Sequence, residues 1–391
     1  MGGCNCTLPE SFSTEMNNNE VKKYHLSLIL THACNLSCVY CYENTKDKRY
    51  MFASTAKRII EEHLNDCNYD EVEIDFFGGE PFLQFDVIKD VCEWTWGKQW
   101  KNKYVFFATT NGTLVHGDMQ EWLRLHKEQF WVSLSLDGTP ASHNLNRSHS
   151  FEKIDIPFFL ECWPSQTVKM TISKQTIEHI YDNIVYIHKL GFNIAGSNFA
   201  EGIDWEDEKY VGVLINQLEK LCQFYIDNPQ YKPAPIINMP IHKCEENKEI
   251  HKWCGCGEHM SAYDIDGRKY PCTFFTPMTF SKEQINYILG SDFSNPHCFV
   301  DVECKNDCYL EPVCNSCYGA NMLANGVINK RDRSKCRLTK IRAIYSAILT
   351  ANRIIANPEN TRENMLAIKA VDKINTLYNV KDNSSAQENS H

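Results

Sequence analysis

The sequence predicts an α/β protein, a partial (β/α)6 barrel followed by a small cysteine-rich region with a β-hairpin and a C-terminal helix, on three observations. Between residues 24 and 200, strand-like and helix-like segments alternate, the pattern of a parallel sheet with crossover helices. Pro233, Pro235 and Pro240 then break regular structure and mark a boundary. Beyond it, nine of the 19 cysteines crowd into the stretch from Cys254 to Cys336. A chain of 391 residues can bury a large core and carry a smaller second unit.

Six strands are predicted at residues 26–31, 71–77, 104–109, 131–136, 167–172 and 192–199, with helices at 56–64, 85–96, 119–126 and 177–190. In the second strand Val72, Ile74 and Phe76 alternate with Glu71, Glu73 and Asp75; in the fourth, Val132, Leu134 and Leu136 alternate with Ser133 and Ser135. One face meets helices and the other a polar interior, as in a TIM-like barrel. A longer helix follows at 206–226. Residues 261–265 and 268–272 flank Asp266-Gly267, a dipeptide favoured in two-residue hairpin turns. Apolar periodicity at 338–355 predicts helix, and the Asn-, Ser- and Gln-rich end predicts disorder. The expected organisation is a polar segment at 1–23, the barrel at 24–230, a linker at 231–252, the cysteine-rich domain at 253–340, a helical region at 341–380 and a tail at 381–391.

Hydrophobic residues make up 43% and charged residues 23%, as in a folded soluble protein. With 40 Lys and Arg against 50 Asp and Glu, the net charge of −10 opposes phosphate backbones, so no nucleic-acid partner is expected. No apolar run is long enough to span a bilayer, and residues 1–20 lack the basic and apolar segments of a signal peptide. The expectation is a cytoplasmic protein with no membrane partner. In that reducing compartment, cysteines point to metal or catalysis rather than disulfides. Cys67, Cys92, Cys162 and Cys222 sit singly in helix-like apolar patterns and are expected to be small buried hydrophobes. Cys4 and Cys6 in the polar tail, and Cys244 in a charged loop, read as adventitious thiols.

Cys34-Asn-Leu-Ser-Cys38-Val-Tyr-Cys41 follows the first strand and so belongs at the carboxyl end of the sheet, where α/β folds bind ligands. Three thiolates suit an iron–sulfur cluster with one open iron, whereas structural zinc closes its shell with four ligands and would need His32 or a distant donor.

With Tyr40 directly before the last cysteine, this CxxxCxxC resembles the signature of the radical S-adenosylmethionine (SAM) superfamily. Gly78-Gly79-Glu80-Pro81 is similar to the family segment whose backbone contacts the SAM amino group, and glycine admits such close approach. Thr109, Thr110 and Asn111 end the third strand, Ser133, Ser135 and Asp137 the fourth, and the stretch from Ser135 through His143 to Arg147 resembles a further family segment. The resemblance places Tyr40, Gly78, Gly79, Glu80, Thr110, Asn111, Ser133, Ser135 and Arg147 around SAM. Arg147 would pair with its carboxylate, a solvated surface arginine being the competing reading. The implied chemistry is one-electron cleavage of SAM by a [4Fe-4S] cluster on Cys34, Cys38 and Cys41. The resulting 5′-deoxyadenosyl radical abstracts hydrogen from the substrate, and the electron comes from an external donor of flavodoxin or ferredoxin type.

Cys254, Gly267 and Cys272, followed by Cys304, Cys308, Cys314, Cys317 and Cys336, resemble the SPASM auxiliary-cluster domain. The resemblance implies two more [4Fe-4S] clusters, three in all. Cys254, Cys272 and Cys317 would hold the first, and Cys304, Cys308, Cys314 and Cys336 the second. The family spacing usually reads CxxC, five residues, CxxxC; here three residues separate Cys304 from Cys308 and two separate Cys314 from Cys317. Cys256 is the candidate fourth ligand of the first auxiliary cluster, and without it an iron would stay open to a substrate thiolate.

SPASM enzymes mostly modify peptides, which implies a maturase installing thioether or related crosslinks in a ribosomally made precursor peptide. The alternative within the family is an anaerobic sulfatase maturase forming formylglycine. That group carries an aspartate directly after the hairpin cysteine, where this chain has Thr273, so the acid suited to accept a substrate proton is missing. About 23 residues precede the first strand, too few for an appended peptide-binding domain. Leader recognition therefore falls to the barrel, to residues 222–252 or to a separate protein. A non-catalytic iron–sulfur electron carrier, or a zinc-stabilised binding module, accounts for the cysteines but not for the glycine loop.

Overall fold

The computed structural model describes residues 21–246 and 250–378. Cys4, Cys6 and the expected disordered tail at 381–391 lie outside the described residues.

The repeat runs β1 (Lys23–Thr31), α1 (Ala53–Leu64), β2 (Glu71–Gly78), α2 (Phe85–Trp96), β3 (Lys103–Thr110), α3 (Asp118–Leu125), β4 (Phe130–Leu134), α4 (Pro140–Asn146), α5 (Ile156–Cys162), β5 (Thr167–Ile172), α6 (Ile180–Leu190) and β6 (Asn193–Phe199). β1 to β4 pair in parallel, β5 pairs with β6, and a bridge from Ser135 to Lys169 joins the two sets. The six predicted strands thus form the partial barrel. Leu26, Leu28, Val72, Ile74, Phe76, Phe106, Ala108, Val132 and Leu134 are at most 2% exposed and carry the helices. The alternate residues His25, Glu73, Phe107, Trp131 and Thr171 remain partly accessible on the inner face. The period-2 alternation therefore separates a packed shell from a polar lumen.

Next come α7 (Glu208–Asp227), β7 (Met260–Tyr263), β8 (Lys269–Tyr270), α8 (Lys282–Leu289), α9 (Val302–Asp307), α10 (Tyr318–Asn325), α11 (Cys336–Ala356) and α12 (Arg362–Tyr378). The hairpin is not set apart from the barrel. β7 pairs in parallel with β1, from His25 opposite Met260 to Leu28 opposite Tyr263, giving a six-stranded sheet in the order β4-β3-β2-β1-β7-β8. It covers the edge that β1 would otherwise expose, and Tyr24 Oη donates to Ser261 Oγ at 2.7 Å across the seam. The turn also departs from the sequence expectation. Gly267 N donates to Asp264 O at 2.7 Å, Asp264 N donates to Arg268 O at 2.9 Å, and Gly267 has φ +79°. This is a three-residue loop with glycine in the bulge, because Gly267 takes the left-handed conformation and Asp266 does not.

The cysteine-rich stretch, for which the sequence predicts no helix before 338, holds α8, α9 and α10. Each is too short to show periodicity, and local caps start α8 and α9: a capping box of Ser281 and Gln284, and Asp301 accepting from Cys304 N. Phe274, Phe275, Phe280, Phe293, Phe299 and Tyr318 form a core of their own there. Cys92, Cys162 and Cys222 are buried, as expected. Cys67 is exposed, because the apolar pattern of α1 ends at Leu64. Cys244 is not a surface thiol; it packs among Met239, Ile241, Leu310 and Val313.

On the inner face, His25 Nδ1 lies 2.9 Å from Glu73 and Nε2 3.5 Å from Asp75. Burial opposes its charge, but hydrogen bonds and charge from Asp75 and Glu73 prevail and hold its pKa up at about 9. A pKa above the unfolded value of about 6.5 contributes stability that is complete below that pH and lost as pH rises through 9. The thermal midpoint should therefore fall between pH 6.5 and 9, by the equivalent of about 3 kcal/mol. His25→Gln should remove that slope.

Candidate active site

The cysteine loop springs from the end of β1. Leu36 N donates to Cys34 Sγ at 3.5 Å, Cys41 N donates to Cys38 O at 3.1 Å, and Val39 N is tied to Asn146 O at 3.0 Å. The three thiols are half-buried. Burial pushes Cys38 up to about 11 and also raises Cys34, and neighbouring thiol charge adds to the rise at Cys38. Such a pocket favours thiolates only with a positively charged group among them, which an iron–sulfur cluster supplies. His32 is committed elsewhere, between Asp264 at 2.6 Å and Asp47 at 3.3 Å, and is not turned to the cysteines as zinc would require. Among the described residues no three His, Cys, Asp or Glu side chains converge on a single-ion site. Thiolates at separate corners of a cubane stand farther apart than ligands sharing one ion.

Gly78 and Gly79 meet this loop directly. A Cβ on Gly78 would overlap Thr31 O, and one on Gly79 would overlap Ala33 O. Gly79 N donates to Thr31 O at 3.0 Å and Glu80 N to Ala33 O at 2.9 Å. The close approach that demands glycine is thus to the backbone leading into Cys34. Glu80, fully buried, accepts from Phe82 N at 3.1 Å, Thr110 Oγ1 at 2.7 Å and Asn111 N at 2.8 Å. Burial still raises its pKa to about 7. Asn111 Nδ2 donates to Asn35 Oδ1 at 2.8 Å, which completes a polar frame from the end of β3 to the cysteine loop. Gly79→Ala should destabilise the chain by about 1–3 kcal/mol through overpacking. Its thermal midpoint and its iron content after reconstitution should fall together.

Arg147, expected at the SAM carboxylate or at the surface, is buried against Asp137, with Nε at 2.9 Å from Oδ2. Asp137, itself inaccessible, also accepts from Tyr40 Oη at 2.8 Å, Asn146 Nδ2 at 3.1 Å and Thr171 N at 2.9 Å. The guanidinium carbon lies 5.4 Å from the Tyr40 ring centroid. Ser133 is likewise drawn inward, its Oγ donating to Thr167 O at 3.0 Å between β4 and β5, and Ser135 is buried at the bridge to Lys169. Asp137 organises this corner, a role the sequence did not assign. The available signal was Asp137-Gly138, since Gly138 has φ +99° and abuts Asn183.

The second cysteine set divides into two groups. Cys256 shares hydrogen bonds with Cys254 and Cys272, and Cys317 lies within electrostatic reach of Cys272 and Cys254. Burial raises Cys317 to about 12, while the hydrogen bond from Cys256 lowers Cys254 to about 7. Cys336 neighbours Cys314 and Cys308, and Cys304 neighbours Cys336. The structure therefore brings together the cysteines assigned to each group and places Cys256 with the first. Tyr42, which the sequence reading passed over, stands between the loop and this group. It stacks on Phe274 at 4.0 Å and lies near Cys41, Cys272 and Cys317.

A family model described as the radical SAM superfamily matches residues 28–212. The chain is 36% identical over 115 residues to "Uncharacterized protein MJ0907" of Methanocaldococcus jannaschii, spanning 29% of this chain and only 38% of that protein. It is 32% identical over 285 residues to the cysteine-type anaerobic sulfatase-maturating enzyme of Clostridium perfringens, spanning 64% of this chain and 75% of that enzyme. With the antilisterial bacteriocin subtilosin biosynthesis protein AlbA of Bacillus subtilis, identity is 23% over 349 residues, or 81% and 71% of the two chains. The solved structure of native anSMEcpe with bound AdoMet superposes with a TM-score of 0.65 at 18% identity, covering 86% of this chain and 100% of that one, a likeness of fold. Among the described residues, no helix is long and apolar enough to cross a membrane.

Proposed function

This chain belongs to the radical SAM superfamily, and from that premise we propose that it is a peptide maturase, installing thioether or related side-chain crosslinks in a ribosomally made precursor peptide. The observation that carries the reading is the three-thiol loop, welded to Gly78-Gly79-Glu80 at the rim of a polar barrel and backed by two further thiol groups. A [4Fe-4S] cluster on Cys34, Cys38 and Cys41 would supply the electron that cleaves SAM to the 5′-deoxyadenosyl radical. The chain's own residues hold the geometry. Glu80 fixes the glycine loop to the end of β3, and the Asp137–Arg147 pair holds Tyr40 beside Cys38 and Cys41. The Tyr42–Phe274 stack lies beside Cys272 and Cys41. Cys254, Cys256, Cys272 and Cys317 would hold one auxiliary cluster, and Cys304, Cys308, Cys314 and Cys336 the other. Thr273 supports crosslinking over formylglycine formation, because a hydroxyl cannot take the substrate proton as a carboxylate does. The sulfatase-maturating reading draws its support from the 32% identity to such an enzyme.

The test is anaerobic reconstitution to about twelve iron per chain, followed by SAM and dithionite. Release of 5′-deoxyadenosine is expected, and its absence at full iron loading would sink the enzyme reading. Co-expression with a small cysteine-rich peptide encoded beside the gene should give a loss of about 2 Da per crosslink. Formylglycine on a sulfatase-derived peptide, with no crosslink on the other, would install the second reading.

A further inference from the structure

The two groups of cysteines in the C-terminal region differ in the charge set around them. Each has one buried and three half-buried thiols, and each has a cysteine at the start of a helix, Cys317 at α10 and Cys336 at α11. Solvent exposure and helix polarity, which both act on a cluster's reduction potential, are therefore alike in the two. Fixed charge is not. Near the first group, Lys252 pairs with Glu258 at 2.9 Å, and Glu201, which faces Cys317, is held by Lys335. Arg331 stands between the groups, its guanidinium carbon 5.4 Å from the Trp253 ring centroid and its Nη1 donating to Cys314 O at 2.9 Å, but Glu311 takes Nη2 at 2.8 Å. Arg333, near the second group, is bound to Asp301 and Glu303.

Arg342 has no such partner. It lies half-buried on α11, the helix that Cys336 starts, with Nε donating to Ile236 O at 3.0 Å and Nη2 to Pro235 O at 3.1 Å. Among the described residues no carboxylate pairs with it, and the anionic group its charge faces is the Cys314 thiolate. Two neutral carbonyls do not neutralise a guanidinium, and burial works against the charge. Lys340, beside Cys336, is a second cation with no carboxylate partner among the described residues. Tyr378 Oη adds a hydrogen bond to Cys308 Sγ.

We propose that Arg342 is the counter-charge of an iron–sulfur cluster on Cys304, Cys308, Cys314 and Cys336, and that it makes this the auxiliary cluster of higher reduction potential. The proposal rests on the two-auxiliary-cluster reading above and adds to it the place where an electron comes to rest. Reduction adds one negative charge to a cluster, and a fixed cation nearby favours the reduced form. One electron shared by the two auxiliary clusters at equilibrium therefore leaves the second reduced and the first, beside the Tyr42–Phe274 stack, oxidised. The first is then in the state that can take an electron from the substrate.

The test is an EPR-monitored redox titration of the full-length, anaerobically reconstituted enzyme, without peptide or turnover. The signal that responds to SAM belongs to the cluster of the Cys34 loop; the other two are the auxiliary ones. The second auxiliary cluster should hold the electron by about tenfold or more, a gap of about 59 mV for one electron. Arg342→Met should move the higher of the two potentials down by a comparable amount and leave the lower in place, and Arg342→Lys, which keeps the charge, should restore most of the shift. Cys336→Ala should delete the higher signal and Cys254→Ala the lower. Movement of the lower potential in Arg342→Met, or no movement, would overturn the proposal. Loss of the lower signal in Cys336→Ala would do so even if no Arg342 variant folds. A merely structural role at the Pro235 and Ile236 carbonyls would weaken signals without shifting one potential, and that outcome also counts against it. The cluster reading fails separately, by iron well below about twelve per chain or by a single auxiliary signal.

Discussion

Arg147→Met should destabilise the folded chain by about 3–5 kcal/mol, the cost of leaving a buried charge without its partner. Asp137 is inaccessible and takes hydrogen bonds from Arg147, Tyr40, Asn146 and the backbone of Thr171, so it cannot turn to solvent when the guanidinium is removed. Burial works against the Arg147 charge, yet Asp137 raises its pKa further still. The pair is kept because each charge answers the other, not because either is cheap to bury. Chemical denaturation should show the loss, and Arg147→Met combined with Asp137→Asn should recover part of it, since the orphaned charge is then gone. Tyr40 shares Asp137, and Val39 is tied to the end of α4, so the single variant should also loosen the cysteine loop and load less iron. A variant of unchanged stability would mean that Arg147 was not neutralising Asp137.

Much of this arrangement was legible in the sequence, for reasons that differ by element. The barrel strands were found because their outward residues alternate with polar ones, and the cysteine loop was placed because ligands gather where parallel strands end. The docking of β7 onto β1 was not legible, because pairing with a distant edge strand leaves no local trace in either segment. Arg147 illustrates a second limit. The sequence brings it within ten residues of Asp137, but a bend and α4 separate them, and only the folded path of α4 decides that the arginine turns inward. The glycine loop shows a third. Glycine was needed as expected, but the backbone it accommodates is that of Thr31 and Ala33, more than 40 residues earlier in the chain.

The two groups of cysteines should separate when they are altered one at a time. Cys38→Ala should abolish SAM cleavage, because its thiol shares one pocket with Cys34 and Cys41 and the loop has no nearby replacement. His32 cannot substitute while Asp264 and Asp47 hold it. Cys336→Ala should leave 5′-deoxyadenosine release nearly intact but cut crosslinked peptide by about tenfold or more, the scale on which damage to a metal site's supporting groups is felt. Cys336 starts α11 and lies with Cys314 and Cys308, apart from the loop and from the Tyr42–Phe274 stack. Both products are read from one reaction by chromatography and mass spectrometry. If the two variants lose both products in parallel, the second thiol group serves SAM cleavage or folding as a whole. If cleavage survives and crosslinking fails, it acts after the radical is made, at the stage where the substrate must give up an electron.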